Sequence, residues 1–253
     1  MVTEVGVLVL VAAAVILGTV VQRVSGMGVG LVVSPTLVLL LGPVAGVLLT
    51  NLTTTASAAL IAVAVRQDID WRRYRQVAPL IIAGSIPGAL LVRAVDRGWL
   101  EVTIGTLLLA TLIVSTVGRL PVLNGRGPAA AAGAVGGFLN TAVGVAAPAM
   151  LVYAQATRWS QRSFAATLQP IFCTMGATSL ITKFAVGATA VSGPPPAGIA
   201  VTAVIMVPVG LLVGNAVARW VPASTGRRVA VTVVVVGALA TLTRGLLAVT
   251  QTG

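Results

Sequence analysis

The sequence predicts an all-α integral membrane protein built from two inverted repeats, and three observations carry this prediction. Hydrophobic residues make up 57% of the 253 residues and charged residues only 8%, whereas soluble domains hold about 25% charged residues. Most apolar stretches approach the roughly 20 residues that a helix needs to cross a bilayer. Glycine-containing breaks recur in both halves of the chain, each beside a segment too short to span.

Apolar runs between breakers divide the chain into ten predicted helical segments, about eight to ten of them in the membrane, and leave no room for a soluble domain. Two runs, 29–41 and 147–156, are too short to cross about 30 Å at 1.5 Å per residue. The segments are Val5–Val24, Val29–Leu41, Val44–Val65, Val77–Val92, Trp99–Val117, Ala129–Val143, Ala147–Ala156, Phe164–Val186, Gly198–Val217 and Val229–Val249.

Residues 1–122 and 123–253 are predicted to be repeats within one transmembrane domain. Pro87 matches Pro208 in a series of short identities that fall in order at nearly one offset, although apolar sequences also align by chance. A glycine break followed by proline occurs in both halves, as SGMGVGLVVSP and TAVGVAAP. We expect each half to hold a glycine-broken helical hairpin and three full transmembrane helices, an arrangement known from carriers.

Arginine placement predicts the orientation of the chain. The joint RQDIDWRRYR, residues 66–75, holds four arginines and should face the cytoplasm. If the short segment 147–156 returns to the side from which it came, the arginines at 158–162 and 219–228 also lie inside. The two halves then run in opposite senses, with the amino terminus outside. We expect a multi-pass protein of the plasma (inner) membrane.

Several functional classes lack support in the sequence. The net charge of +11 comes from arginines in the joints, without a basic face interleaved with aromatic residues, so no nucleic-acid partner is expected. There is no histidine and only one cysteine, Cys173, so we expect no metal site, no disulfide and no cofactor. The first apolar stretch lacks a basic n-region and a clear cleavage site, which favours a retained helix over a signal peptide.

The glycine breaks are the predicted binding site. Broken helix at membrane depth is tolerated only where protein or a watery cavity surrounds it. A helix that starts at such a break has unpaired amide hydrogens and a positive dipole end, and both favour an anion. The alternative is that these glycines only let helices pack closely, but recurrence beside two short segments favours the site. The candidate residues are Ser25, Gly26, Gly28, Gly30, Asn140, Thr141 and Gly144.

Polar side chains occur close to both breaks. Thr50 and Thr54 share one face of a predicted helix, with Asn51 on an adjoining stripe, and Thr167 and Gln169 hold the corresponding place in the second half. Hydroxyl and amide groups can donate to oxyanion oxygens without adding charge. The alternative is that each threonine bonds to its own helix backbone, so only the cluster is informative.

Charged residues within apolar segments are costly and commonly functional. Arg23 and Lys183 are candidates for attracting an anion, although Arg23 could equally extend to the interface. The acidic residues are all placed at ends or joints, so a buried carboxylate relay for proton coupling has no obvious carrier. They are Glu4, Asp68, Asp70, Asp96 and Glu101.

These elements together resemble the sulfite exporter TauE/SafE family of membrane permeases over most of the chain. The resemblance is carried by SGMGVGLVVSPTL, VLLTNLTTTASA, RQDIDWRRYRQ, PGALL, GFLNTAVGVAAPAMLVY and SFAATLQ. This sequence differs from the expected pattern at Val29 and at residues 145–147, where further glycine would be typical. The resemblance implies transport of small sulfur-containing anions, such as sulfite or organosulfonates, usually outward.

The leading hypothesis is a carrier of a small anion that binds near the midplane of the bilayer, and it predicts that bulky replacements of Gly28 or Gly144 abolish flux. An anion channel would instead show flux that does not saturate. A membrane-embedded enzyme lacks an intramembrane carboxylate pair and a nucleophile with an adjacent base. A non-transporting scaffold gives no reason for paired breaks. A homo-oligomer is compatible with all four.

Overall fold

The computed structural model describes residues 4–25, 29–115, 121–123, 125–190 and 193–252. These residues form ten α-helices and one short 3-10 helix at Arg66–Asp68, and they contain no β-strand. The helices are α1 (Glu4–Ser25), α2 (Gly30–Leu41), α3 (Pro43–Ala64), α4 (Trp71–Ala94), α5 (Arg97–Ser115), α6 (Gly127–Val143), α7 (Ala147–Ala156), α8 (Gln161–Ala185), α9 (Ala197–Val217) and α10 (Ala223–Thr252).

Seven of the described helices, α1, α3, α4, α5, α8, α9 and α10, are long and apolar enough to cross a membrane. The all-α, multi-pass prediction is therefore confirmed. Helix α2 has 12 residues and α7 has 10, which correspond to about 18 Å and about 15 Å. Neither reaches across a hydrocarbon core of about 30 Å, as predicted from the lengths of their apolar runs.

Helix α4 begins six residues before the predicted start at Val77, because a polar cap and not hydropathy sets its boundary. The Asp70 side chain accepts a hydrogen bond of 3.0 Å from the Arg73 backbone amide, which satisfies one unpaired donor of the first turn. The arginine-rich segment after Asp70 is thus helical. It forms the first turns of α4, before the apolar part of the helix begins.

Contacts between helix ends define the two faces of the molecule. We call the face that holds the arginine-rich joint 66–75, which is predicted to be cytoplasmic, the inner face, and the opposite one the outer face. At the inner face, Arg162 pairs with Asp68 at 3.0 Å, and the Leu123 amide donates to the Ala156 carbonyl at the end of α7. At the outer face, Arg97 lies beside Gly42, the single residue between α2 and α3. Helix α2 therefore runs outward from its break, whereas α7 runs inward. The inversion of the two halves stays a prediction, and it requires these opposite directions.

Two of the main helix pairs join the two halves of the chain. Helix α4 packs on α6, and α1 packs on α9. Each pairing joins the first helix of one half to the fourth helix of the other half. Small residues permit close contact: a Cβ added at Gly137 would lie 2.3 Å from the Ile81 carbonyl oxygen, and one at Gly210 would lie 2.8 Å from Thr19 Cβ. For these glycines, outside the breaks, close helix packing is the role that the structure supports.

Candidate functional site

The glycine breaks of the two halves are in direct contact. A Cβ added at Gly30, the first residue of α2, would lie 2.2 Å from the carbonyl oxygen of Gly144. Gly144 itself has φ +78°, a conformation that L side chains rarely adopt. Ser34 of α2 donates a hydrogen bond of 2.5 Å to the Val143 carbonyl at the end of α6. The breaks thus form one junction at the centre of the protein.

The starts of α2 and α7 converge on this junction. The two half-helices leave it in opposite directions, and their lengths of about 18 Å and about 15 Å together match one hydrocarbon thickness of about 30 Å. These lengths are compatible with the predicted position of the site near the midplane of the bilayer. Both positive helix ends point to the junction, and neither start has a side-chain cap among the described residues.

A cavity of about 220 Å³ occupies the junction. Only about 10 Å³ of this space is accessible to a water-sized molecule, close to what a single water needs, so an oxyanion would require the two half-helix starts to move apart. Apart from Phe172, the wall consists of backbone and small, polar or aliphatic side chains, with no charged group among the described residues. The lining is Gly30, Leu31, Thr54, Asn140, Gly144, Val145, Ala146, Ala147 and Phe172.

Thr54 is the side chain with an unused donor at this cavity. It is 4% exposed, and its hydroxyl has no hydrogen-bond partner among the described residues. The amides of Gly30, Leu31 and Ala147 belong to the first turns of the half-helices, where intrahelical acceptors are missing. An oxyanion in the cavity would satisfy both kinds of donor.

Asn51 and Asn140 join the two halves beside the cavity. The Asn140 amide donates to Asn51 Oδ1 at 2.9 Å, and the Asn51 amide donates to Ser179 Oγ at 2.7 Å. These bonds hold α6 against α3 and α8, so the cavity wall at Asn140 is fixed by an internal network. Both asparagines were predicted at the site, and the structure assigns their amides to holding its wall together.

The remaining predicted threonines and Gln169 largely bond to their own helices. Thr50 donates to the Gly46 carbonyl at 2.8 Å, while its methyl group faces the glycine junction. Thr167 donates to Ser163 and accepts from the Asp70 amide, which places it at the inner face. Gln169 donates to Ala165, and Thr141, with no partner among the described residues, lies against Gly88 of α4. None of these four side chains lines the central cavity.

The charged candidates lie apart from the cavity. Arg23 is exposed at the end of α1 and bonds to Asn215 of α9. Lys183 is fully buried in α8, one turn beyond Ser179, and its ammonium has no partner among the described residues. Ser25 bonds to the Val21 carbonyl and lines a different cavity, at the inner face. Gly26 and Gly28 lie outside the described residues.

Glu101 was expected at a helix end, but it is a buried carboxylate of α5, only 2% exposed. Arg244 of α10 binds it with two hydrogen bonds of 2.8 and 2.7 Å, and also donates to the Leu39 and Val38 carbonyls at the outer end of α2. A carboxylate near a helix end is therefore buried, as the partner of Arg244 in an ion pair. The sequence signal for this pair was Arg244, which stands alone inside the last apolar run.

A second cavity, the inner vestibule, lies below the junction. About 80 Å³ of its space is accessible to a water-sized molecule, and Ser25, Gln161 and Arg227 line it at the inner face. Leu31 and Ala147 belong to the walls of both cavities, so the vestibule leads to the starts of the two half-helices. The central cavity thus adjoins the vestibule on this side.

Comparison with known proteins agrees with this architecture. The family described as Sulfite exporter TauE/SafE matches residues 10–241, nearly the whole chain. No curated protein and no solved structure matches the chain. The family match confirms the resemblance seen in the sequence motifs, and it accords with seven helices suited to a membrane. The chain belongs to the sulfite exporter TauE/SafE family, a family of membrane transporters.

Proposed function

We propose that this protein is a secondary carrier that exports a small sulfur-containing oxyanion, sulfite or an organosulfonate, across the plasma membrane. The observation that carries the proposal is the contact of Gly30 with Gly144, which brings two helix starts to one central cavity. The family match supports sulfur oxyanions as the substrate class.

The cavity is suited to an anion that must be released again. Its donors are backbone amides, helix dipoles and the Thr54 hydroxyl, all without net charge. A lysine or arginine in the wall would add a strong charge-assisted hydrogen bond and slow release. In other transporters with discontinuous helices, the positive ends of half-helices likewise point at anionic groups of the substrate.

The proposed mechanism is alternating access between the two repeats, 1–122 and 123–253. The inner vestibule supports loading from the inner face, which is the side from which an exporter takes its substrate. On the outer side, Arg244 and Glu101 hold the end of α2 against α5 and α10. Transport would then require these outer contacts to separate as the inner contacts of α7 close.

The proposal is tested with purified protein in liposomes. Saturable efflux and counterflow are expected for sulfite or for one of the organosulfonates taurine and sulfoacetate, and protein-free liposomes measure the leak. The transported anion should also raise the thermal unfolding temperature, because a ligand that binds the native state stabilises it. Flux that rises linearly with concentration, without counterflow, would identify a channel. The absence of flux for every sulfur oxyanion would refute the proposal.

A further inference from the structure

The inner vestibule has one charged side chain in its described wall, Arg227 in the second turn of α10. Its side chain is exposed, and its guanidinium has no hydrogen-bond or ion-pair partner among the described residues. The acidic groups at the inner face are already used, because Asp68 pairs with Arg162 and Asp70 with Arg73. Arg227 therefore presents an uncompensated positive charge at the vestibule mouth.

Two further polar side chains stand at the same mouth. Gln161, the first residue of α8, is exposed, and Ser25 ends α1 on another side of the opening. Beyond them the wall becomes apolar, with Leu151, Phe164 and Leu168 on the way to Leu31 and Ala147. An anion meets charge and polar groups first, and an apolar passage afterwards.

We propose that Arg227 is the capture site for the substrate oxyanion at the inner face, before the ion moves to the central cavity. This inference rests on the proposed transport of oxyanions, and it adds a first binding position. A guanidinium binds sulfite or sulfonate oxygens through a planar pair of N–H groups. Low-dielectric walls around one charge concentrate the field at the opening, which raises the local concentration of anions.

Arg227 and the central cavity would bind the anion with different strengths, for a physical reason. A full charge in the central cavity would hold the anion too strongly for release, whereas neutral donors alone attract it poorly from water. Arg227 supplies attraction at the mouth, where solvent screening keeps binding weak and reversible. The central amides and Thr54 then replace the hydration shell.

The experiment compares Arg227→Gln with Arg228→Gln. Arg228 is the adjacent residue, carries the same charge, is exposed, and does not line the vestibule. Initial rates are measured in vesicles of uncharged lipid, with substrate supplied from the inner face or from the outer face. For Arg227→Gln we expect the KM for inner-face substrate to rise about tenfold, with the outward kcat within twofold of the unchanged protein. Detailed balance then requires kcat/KM for outer-face substrate to fall by the same factor. Arg227→Lys should recover most of the loss.

The control and the salt dependence separate this role from general electrostatics. Arg228→Gln should change KM less than twofold, and added salt should weaken inner-face transport of the unchanged protein more than that of Arg227→Gln. Equal effects of the two glutamine variants would overturn the inference. The proposed function would still stand in that case, provided that the unchanged protein transports the anion. Because lipid phosphate could occupy the same guanidinium, the assay is repeated with anionic lipid. An effect of Arg227→Gln that occurs only with anionic lipid would assign the residue to lipid binding and also overturn the inference.

Discussion

Gly30 of the first half packs against the carbonyl oxygen of Gly144 in the second half. This contact joins two helix breaks that are far apart in the sequence, and it leaves no room for a side chain on Gly30. Gly144 has φ +78°, a conformation that disfavours a side chain there. The contact therefore sets both the distance between the two half-helix starts and the shape of the cavity that they line.

Replacing Gly30 by alanine should abolish saturable anion flux. The new Cβ would lie 2.2 Å from the Gly144 oxygen, so α2 must move away from the junction. Overpacking of this kind costs about 1–3 kcal/mol, which exceeds the roughly 1 kcal/mol that alanine gains over glycine within a helix. Flux in liposomes and thermal unfolding in detergent provide the measurements.

Gly198→Ala is the matched control for the glycine prediction. A Cβ at Gly198 of α9 meets no atom within 4 Å. This variant should fold and transport like the unchanged protein. Normal flux in Gly30→Ala would show that the glycine junction is not the substrate site.

Thr54→Val should weaken oxyanion binding without weakening the fold. The hydroxyl makes no hydrogen bond among the described residues, so its removal costs the protein no observed internal contact. A hydrogen bond to an ion contributes about 1.5–3 kcal/mol, which corresponds to a KM about 10- to 100-fold higher.

The neighbouring buried residue supplies the control for Thr54. Thr53 donates to the Leu49 and Thr50 carbonyls of its own helix. Thr53→Val should leave the KM within about twofold, because such bonds leave the helix backbone pairing intact. If both valine variants had the same KM, Thr54 would have no role in binding.

Arg244→Gln should destabilise the protein more than Arg97→Gln. Both arginines contact Glu101, but Arg97 is 70% exposed, and only Arg244 also binds the α2 carbonyls. Removing one partner of a buried pair costs about 3–5 kcal/mol, which we reduce to about 2 kcal/mol because Arg244 is 36% exposed. The free energy of unfolding in denaturant measures the difference.

The double variant Glu101→Gln with Arg244→Gln tests the cause of that loss. It removes both charges, so no unpaired carboxylate stays buried, and it should recover much of the stability. A double variant as unstable as the sum of the two single variants would contradict a direct coupling between these side chains.

Lys183→Met should raise the thermal unfolding temperature and leave the KM within twofold. The ammonium is buried without a partner among the described residues, and Lys183 does not line either transport cavity. Replacing it by an apolar side chain of similar length therefore removes an unfavourable burial. A loss of flux greater than tenfold, in folded protein, would restore Lys183 to the binding site as the sequence predicted.

Much of this fold could be predicted from the sequence, because a bilayer requires each spanning segment to be apolar and long enough, and both properties are local. Hydropathy and length determined the helices and the two segments too short to span. Local chemistry also indicated the breaks at Gly30 and Gly144. The start of α4 was misplaced because a polar cap, Asp70, outweighs hydropathy there.

The tertiary structure decided which side chains face the cavity. Thr50, Thr53 and Thr54 are indistinguishable by composition, yet only Thr54 has an unused hydroxyl at the junction, because the rotation of α3 against α8 determines where each side chain points. Glu101 is buried beside Arg244, which pairs with it from a distant part of the chain, so its burial could not be predicted from its own segment. Sequence alone determined membrane residence and the breaks, since these depend on local apolarity. Packing between distant helices determined the site.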